Sequence, residues 1–144
     1  MITNADITLY NKYYDEEDKC NKYKRSYLRG VNYRSSYGTT TSSKSINNND
    51  ENIIYIPFSV YSEDKEYIKP KAYEKLSKSE KEHYFTLNSG DIVVKGIIDF
   101  ELTNEKGNNL KSLNEFYDDV STVNNVKTYE CGSYNMKHWK VVCS

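Results

Sequence analysis

The clearest alternation of apolar and polar residues lies in residues 90–102, which read GDIVVKGIIDFEL. A strand with this pattern buries one face and leaves the other mostly wet, as in an antiparallel sheet. Gly96 in the middle weakens a regular strand and so indicates a bend, a bulge or a close backbone approach. The face expected to be buried carries Ile92, Val94, Gly96, Ile98, Phe100 and Leu102. The segment predicts a bent strand at the centre of a curled sheet.

Weaker alternation predicts further strands. They cover residues 6–13, 21–33, 53–60, 119–129 and 136–142. Pro57 has no N–H, so strand 53–60 is expected at a sheet edge or without a partner beside residue 57. Helical signals are short: one turn begins at Pro70, and Leu113 and Phe116 share a helical face farther along. Ser77 and Glu80 have the spacing of a capping box.

These elements predict a mainly β fold, because the strands outnumber the helical segments and the turns between them are polar. We expect a small, partly closed antiparallel β-barrel with one or two short helices, since closure removes exposed sheet edges. The 144 residues suit one domain that spans residues 1–144.

A long polar segment interrupts this pattern at residues 34–52, which read RSSYGTTTSSKSINNNDEN. It contains too few apolar groups to offset the conformational entropy lost on ordering. A loop of this length inside a compact domain is usually functional or disordered. We therefore predict a flexible or partner-binding loop, which either gates a channel or binds a neighbour. Its candidate contact residues are Tyr37, Thr40, Lys44, Asn48 and Asp50.

No motif indicates catalysis. His83 and His138 are far apart, and the chain has no HExxH, CxxC, GxSxG or phosphate-binding glycine loop. We expect no enzyme activity, no catalytic residue, no cofactor and no metal ligand. The odd cysteine count favours free thiols, and a bridge between Cys131 and Cys143 is left open.

One strand combines aromatic and basic residues, and Val31 and Tyr33 continue its alternation. The candidate side chains on its shared face are Tyr23, Arg25, Tyr27 and Arg29. Tyrosine rings stack on bases and arginines neutralise phosphates, so this strand is a possible single-strand nucleic-acid site. The alternative is an ordinary exposed strand with long side chains over tyrosine rings, and the net charge of -1 favours it.

The hydrophobic fraction of 37% includes fifteen tyrosines, whose amphipathic side chains suit interfaces. The chain has no apolar run of 18 residues, and its start, MITNADITLY, lacks the character of a signal peptide. We expect a protein made in a cytoplasm, with no membrane partner.

Three groups of motifs resemble a family found in tailed phages and prophages of Gram-positive bacteria. They are DITLYNKYYD with KYKRSYLRGVNY, then IIYIPFSV with YIKPKAYEKLS and YFTLNSGDIVVKGIIDFEL, and finally DDV with GSYNMKHWKV. The chain is similar to small minor structural proteins of the head–tail connector, of the head-closure or stopper type. The resemblance covers nearly the whole chain outside residues 34–52.

The resemblance implies a β-barrel subunit of a virion ring, with six-fold symmetry expected, assembled in the host cytoplasm. Such a ring meets the connector adaptor or the portal on the head side. On the tail side it meets the tail terminator or the tail tube. It retains packaged DNA in its channel without sequence specificity. Two alternatives stay open: a tail terminator or tail completion protein, and a small nucleic-acid-binding β-barrel.

Overall fold

Alternating apolar residues form strands that pair on both sides, so that the sheet closes on itself. The computed structural model describes the backbone of residues 2–42 and 45–144, and the side chains of residues 2–35 and 51–144. The strands are β1 (Ala5–Asp15), β2 (Cys20–Ser42), β3 (Ser45–Pro57), β4 (Glu66–Tyr67), β5 (Tyr84–Phe85), β6 (Ile92–Lys95), β7 (Val120–Tyr129) and β8 (His138–Cys143). The helices are α1 (Pro70–Glu74) and α2 (Leu110–Phe116), with 3₁₀ turns at Glu80–His83 and Tyr134–Met136.

Six of these strands form one antiparallel ring in the order β1, β2, β3, β8, β7, β6, and β6 pairs again with β1. The prediction of a mainly β fold with a curled antiparallel sheet and short helices is confirmed. Strands β4 and β5 form a separate parallel pair of two residues each. They lie in the connection from β3 to β6, which also carries α1.

The core has two layers, one inside the ring and one outside it. The inner layer contains apolar side chains from every strand of the ring, joined by two residues of the β3–β6 connection. Its buried members are Ile7, Leu9, Leu28, Val31, Tyr33, Ile54, Ile56, Phe85, Leu87, Val93, Val123, Trp139, Val141 and Cys143. The outer layer consists of Tyr10, Ile92, Val94, Leu102 and Leu113. Strands β1 and β6 are therefore buried on both faces.

The predicted central strand at residues 90–102 is shorter in the structure. The expectation of one wet face is wrong for Val93, which is buried, whereas Lys95, Asp99 and Glu101 of that face are exposed. Strand β6 ends at Lys95, and Gly96 has φ +96°, which turns the chain out of the sheet. Residues 97–102 then run over the outside of β1, where Thr8 Oγ1 donates to the carbonyl of Gly96 at 2.7 Å. The face predicted to be buried forms the outer layer, and Val93 fills the barrel.

A bulge at Gly30 changes which residues of β2 face inward. Ala5 pairs with Val31 but Asp6 pairs with Arg29, so one residue of β2 is skipped. Gly30 has φ +87°, a conformation that glycine adopts without steric cost. Val31 and Tyr33 therefore point into the barrel, although uninterrupted alternation placed them with Tyr23 and Arg29.

Strand β3 is not an edge strand, because it pairs with β2 on one side and β8 on the other. Pro57 is its last residue and lies opposite His138 of β8. Pairing with β2 extends only as far as Tyr55, so the β2 side has no partner at residue 57. The second of the two expectations for Pro57 is the correct one.

Candidate functional site

Strands β2 and β3 continue beyond the ring as a two-stranded ribbon. Pairing of β2 with β1 stops at Val31, and pairing of β3 with β8 stops at Asn52. We call residues 36–42 and 45–51 the hairpin arm. Within the described backbone, these two segments pair only with each other, from Ser36 opposite Glu51 to Ser42 opposite Ser45. Seven residues per strand correspond to a length of about 24 Å.

The arm replaces the loop predicted for residues 34–52. The inter-strand ladder satisfies the peptide groups, and threonine is a good strand residue, so low hydrophobicity does not prevent extended pairing. The candidate contact residues pair as Tyr37 with Asp50, Thr40 with Asn47 and Asn48 with Thr39, and Lys44 lies outside the described residues. Whether the arm binds a partner stays a prediction.

The root of the arm is fixed to the N-terminal segment. The Asn4 side chain accepts a hydrogen bond from the backbone N–H of Tyr33 at 2.8 Å and donates to its carbonyl at 3.1 Å. The Tyr33 ring is buried, and the Lys95 ammonium lies 5.2 Å from its centre. Because Ile54 opposite Tyr33 is also buried, the arm emerges from a closely packed part of the barrel.

The predicted basic aromatic strand is not a free binding platform. Residues 98–102 lie against it: the Tyr27 hydroxyl donates to the carbonyl of Ile98 at 2.7 Å, and Tyr23 packs against the outer core layer. Arg25 forms an ion pair with Glu101 at 3.0 Å. Arg29 forms one with Glu63 at 3.2 Å. The four candidate side chains do lie on one face, but contacts within the chain engage each of them.

Ionic contacts close the end of the barrel where β1 meets β2. The Asp15 carboxylate is buried, lies 2.9 Å from the Lys22 ammonium, and also contacts Lys78 from the segment after α1. Its other oxygen accepts hydrogen bonds from the backbone N–H groups of Glu17 and Asp18. The two lysines hold the pKa of Asp15 well below its usual range. This cluster borders a cleft of about 770 Å³.

The same cleft contains a buried lysine. The Lys81 ammonium lies 5.4 Å from the ring centres of both Tyr13 and Tyr73, and it donates a hydrogen bond to the carbonyl of Leu76. Burial lowers the pKa of Lys81. Cation–π contacts on two sides compensate for lost hydration, so the geometry explains Lys81 as a structural link between β1 and α1.

A second buried carboxylate, Asp91, fixes the start of β6. It accepts hydrogen bonds from the backbone N–H groups of Lys12 and Asn88 and from the Asn11 carboxamide, each at 2.9 Å. Burial raises the pKa of Asp91 to about 6, since lost hydration outweighs these hydrogen bonds. The network occupies the turn of residues 88–91, which leads into β6.

With this geometry established, comparison with known proteins gives one match. The model of a family of unknown function, DUF6751, matches residues 2–144. The chain belongs to the DUF6751 family. No curated protein and no solved structure matches the DUF6751 chain. The family description assigns no activity, so the function of this DUF6751 member has to be argued from its own residues.

The remaining candidate chemistry in the DUF6751 chain is sparse. Cys20, Cys131 and Cys143 are free; Cys131 is exposed, whereas burial raises the pKa of the Cys143 thiol to about 12. The described residues contain no group of three His, Cys, Asp or Glu side chains placed to hold a metal ion. Across the same residues, no helix is long and apolar enough to cross a membrane. The hairpin arm extends beyond the barrel and is not needed to close it, so it is the main candidate for a functional surface.

Proposed function

We propose that this protein is a non-enzymatic virion subunit that joins the head of a tailed phage to its tail. In this proposal, copies assemble as a ring in the host cytoplasm and remain in the virion at the head–tail joint. The most specific form of the proposal is the head-closure, or stopper, subunit, which retains packaged DNA and receives the tail. The resemblance of the sequence to connector proteins motivates this choice.

The hairpin arm is the observation that carries the proposal. A two-stranded hairpin is marginally stable in water unless a further strand or an apolar layer supports it. Residues 36–51 contain only two large apolar residues, Tyr37 and Ile46, so the ribbon has little apolar surface with which to build a core. A partner that pairs with the arm, or packs on it, supplies the missing support.

The arm also has the sheet edges that the barrel lacks. Each barrel strand pairs on both sides, whereas each strand of the arm pairs on one side within the described backbone. Open edges are templates for pairing with another chain, and proteins usually protect them with charged residues. Within residues 36–51 the charged residues are Lys44, Asp50 and Glu51, so residues 36–43 and 45–49 carry no charge. This pattern favours pairing with a neighbour over protection from it.

These features suggest how the subunit acts. Barrel faces form the ring, while each arm reaches an adjacent copy or the central channel. In the channel, the Ser, Thr and Asn residues of the arms would offer many weak polar contacts to DNA and would not form an apolar seal. Such contacts suit retention of DNA without sequence specificity. The two rims of the ring contact the adaptor or portal on one side and the tail terminator or tail tube on the other.

Immunogold labelling of purified particles from the encoding phage or prophage tests the proposal. We expect label at the head–tail joint, together with six-fold rings in negative-stain images of that joint. Label at the first ring of the tail would instead support a tail terminator or tail completion protein, for which the same arm is suitable. Absence of the protein from purified particles would overturn both roles.

Nucleic-acid binding through Tyr23, Arg25, Tyr27 and Arg29 is not favoured, because contacts within the chain engage these residues.

A further inference from the structure

The outer surface formed by β3, β8, β7 and the adjoining part of β2 has a basic and aromatic character. Ile54, Ile56, Trp139 and Val141 point into the barrel, so the residues that alternate with them point outward. We call this outer surface the basic face. Its members are Arg34, Tyr55, Lys127, Tyr129, His138 and Lys140, all exposed or half-buried. Glu51 precedes Asn52 at one end of this face, and Glu130 follows Tyr129 at the other end.

Two lysines on this face lie directly opposite each other. Lys140 of β8 pairs with Lys127 of β7 on one side and with Tyr55 of β3 on the other. Like charges at opposed positions of a sheet destabilise it. Neither lysine forms an ion pair with a carboxylate in the part of the chain that the structure describes. An anionic partner on this face would remove the repulsion.

Aromatic rings occupy the next row of the same face. The Tyr129 ring stacks on His138 with 4.9 Å between ring centres and an interplanar angle of 17°, and the Tyr55 ring meets His138 edge-on at 5.7 Å. Tyr129 is 41% exposed. The basic face therefore combines cations with accessible aromatic surface, and aromatic residues are enriched in protein interfaces.

The opposite side of the barrel has the complementary character. Residues 96–119, which we call the cover segment, lie outside β1 and β6 and hold the outer core layer. Because β8 is the third strand from β1 in either direction around the ring, the two faces lie on opposite sides. The cover segment has six carboxylates and two lysines, a net charge of −4. The exposed carboxylates are Asp99, Glu101, Glu105, Glu115, Asp118 and Asp119.

Most of these carboxylates are available to a partner. Glu101 pairs with Arg25, and the other five form no ion pair with any residue in the described chain. Phe116, at the end of α2, is 69% exposed and lies between Glu115 and Asp118 in the sequence. The cover segment therefore offers an exposed aromatic side chain with carboxylates next to it in the sequence.

We propose that the basic face of one copy docks on the acidic cover segment of the next copy. Lys127 and Lys140 would meet the carboxylates around α2, and Tyr129 would meet Phe116. Since the two patches differ and lie on opposite sides, the contact is heterologous and repeats from copy to copy, which closes a ring when the rotation allows. The inference depends on the proposed function only in that both require copies to associate.

Zero-length carbodiimide cross-linking tests the contact directly, since it joins lysines to carboxylates that touch. An equal mixture of ¹⁵N-labelled and unlabelled protein at low ionic strength separates links between copies from links within one copy. We expect mass spectrometry to find mixed-isotope links from Lys127 or Lys140 to carboxylates of the cover segment. If no such links form, the inference is wrong.

Charge exchange gives the stricter test. Lys127→Glu with Lys140→Glu reverses the basic face, and Glu115→Lys with Asp118→Lys reverses part of the cover segment. Each variant alone should lose cross-linked dimers by about tenfold or more, because attraction across the contact becomes repulsion. A mixture of the two variants should regain them, since each altered face then meets a complementary one. Failure of the mixture to recover would overturn the inference.

Two controls separate this result from misfolding and from a different ligand. Lys71→Glu with Lys75→Glu, two exposed positions in and next to α1, should leave the cross-links unchanged, and near-ultraviolet circular dichroism should report the same fold for every variant. Anisotropy of a labelled oligonucleotide tests nucleic acid as the occupant. Salt-sensitive binding that Lys127→Glu with Lys140→Glu abolishes, without cross-linking between copies, would assign the face to nucleic acid instead.

The outcomes also separate this inference from the proposed function. If the protein is found at the head–tail joint but the exchanged variants do not complement each other, only the docking contact is wrong. If the cross-links behave as expected but purified particles lack the protein, the docking contact stands and the connector role is wrong.

Discussion

The Asn11 carboxamide donates a hydrogen bond to Oδ2 of Asp91 at 2.9 Å, and both side chains are almost fully buried in the barrel. Asn11 also accepts from the backbone N–H of Thr86 at 3.2 Å and donates to its carbonyl. The pair therefore connects β1, β6 and the connection that follows β5. Its carboxylate faces three donors, so a neutral amide cannot replace it without loss.

Asp91→Asn should lower the free energy of unfolding by about 1–3 kcal/mol at pH 7, because its amide N–H₂ would face groups that themselves donate. Chemical denaturation followed by the fluorescence of Trp139 measures this. Asp99→Asn, at an exposed carboxylate, is the matched control and should have little effect. An unchanged stability for Asp91→Asn would show that the network is not formed.

The raised pKa of Asp91 also predicts a pH dependence. Between pH 3.8, the ordinary value, and about 6, the folded protein retains a proton that the unfolded chain has lost. This group's contribution to stability should therefore fall as the pH rises through that window and stay constant above it. In Asp91→Asn, the free energy of unfolding should lack this decrease between pH 3.8 and about 6. If the stability of the wild type changes with pH in the same way as that of the variant, the pKa of Asp91 is not raised.

Asp15→Asn should destabilise the protein near neutral pH, because it removes the charge that holds Lys22 and Lys78 together. The pKa of Asp15 is lowered, so its contribution is present above the ordinary value of 3.8 and is lost as the pH falls below that. The difference in melting temperature between wild type and variant should shrink in acid. Glu16→Gln, an adjacent exposed carboxylate, serves as control, and an equal loss there would argue against a specific ionic contact.

Gly96→Ala should cost about 1–2 kcal/mol of stability through backbone strain. An added Cβ has no heavy atom within 4 Å, so steric overlap with neighbours does not contribute, and the penalty comes from φ +96° alone. Ser133→Ala, at an exposed residue with φ −69°, is the control. Denaturant titration of both variants measures the difference. A neutral Gly96→Ala would mean that the chain does not turn out of the sheet here.

The sequence predicts the strands well but not which side of the sheet they bury. Alternation identifies β1, β7 and β8 to within two residues, because their side chains repeat with the period of a strand, whereas β3 begins at Ser45, eight residues before the predicted start. The bulge at Gly30 reverses which residues of β2 face inward, so uninterrupted alternation assigns Val31 to the wrong face. At Gly96 the chain turns back over the outside of the sheet, so both faces of β6 are buried and Val93 points into the barrel. A glycine in the sequence permits a positive φ. It does not show whether the folded chain forms a bulge there, as at Gly30, or leaves the sheet, as at Gly96.

The candidate site was only partly predictable. Polar composition separates residues 34–52 from the rest of the chain, yet it does not show that their backbone pairs into an arm. Tyr23, Arg25, Tyr27 and Arg29 do share a face, but the contacts that cover them come from residues 63 and 98–102, far away in the sequence. Likewise, the opposition of Lys127 to Lys140 depends on the register of β7 and β8.

Shortening the arm should leave the barrel folded. Ser35 and Asn52 lie directly opposite each other, so Asn-Gly in place of residues 36–51 forms a two-residue hairpin turn. We expect the free energy of unfolding to change by less than about 1 kcal/mol, because the arm's strands pair with each other and a shorter connection costs little entropy. Denaturation of the shortened chain checks this. A large loss of stability would mean that the arm is part of the core.

Under the proposed connector role, the same shortened chain tests the central claim most directly when it replaces the full-length protein in the phage or prophage that the proposal assigns it to. Electron microscopy then counts heads joined to tails in particles made with each chain, after the shortened protein has been shown to fold. We predict that the full-length chain gives joined particles and that the shortened chain gives separate heads and tails. Joined particles in equal number with the shortened chain would contradict the proposal that the arm assembles the head–tail joint.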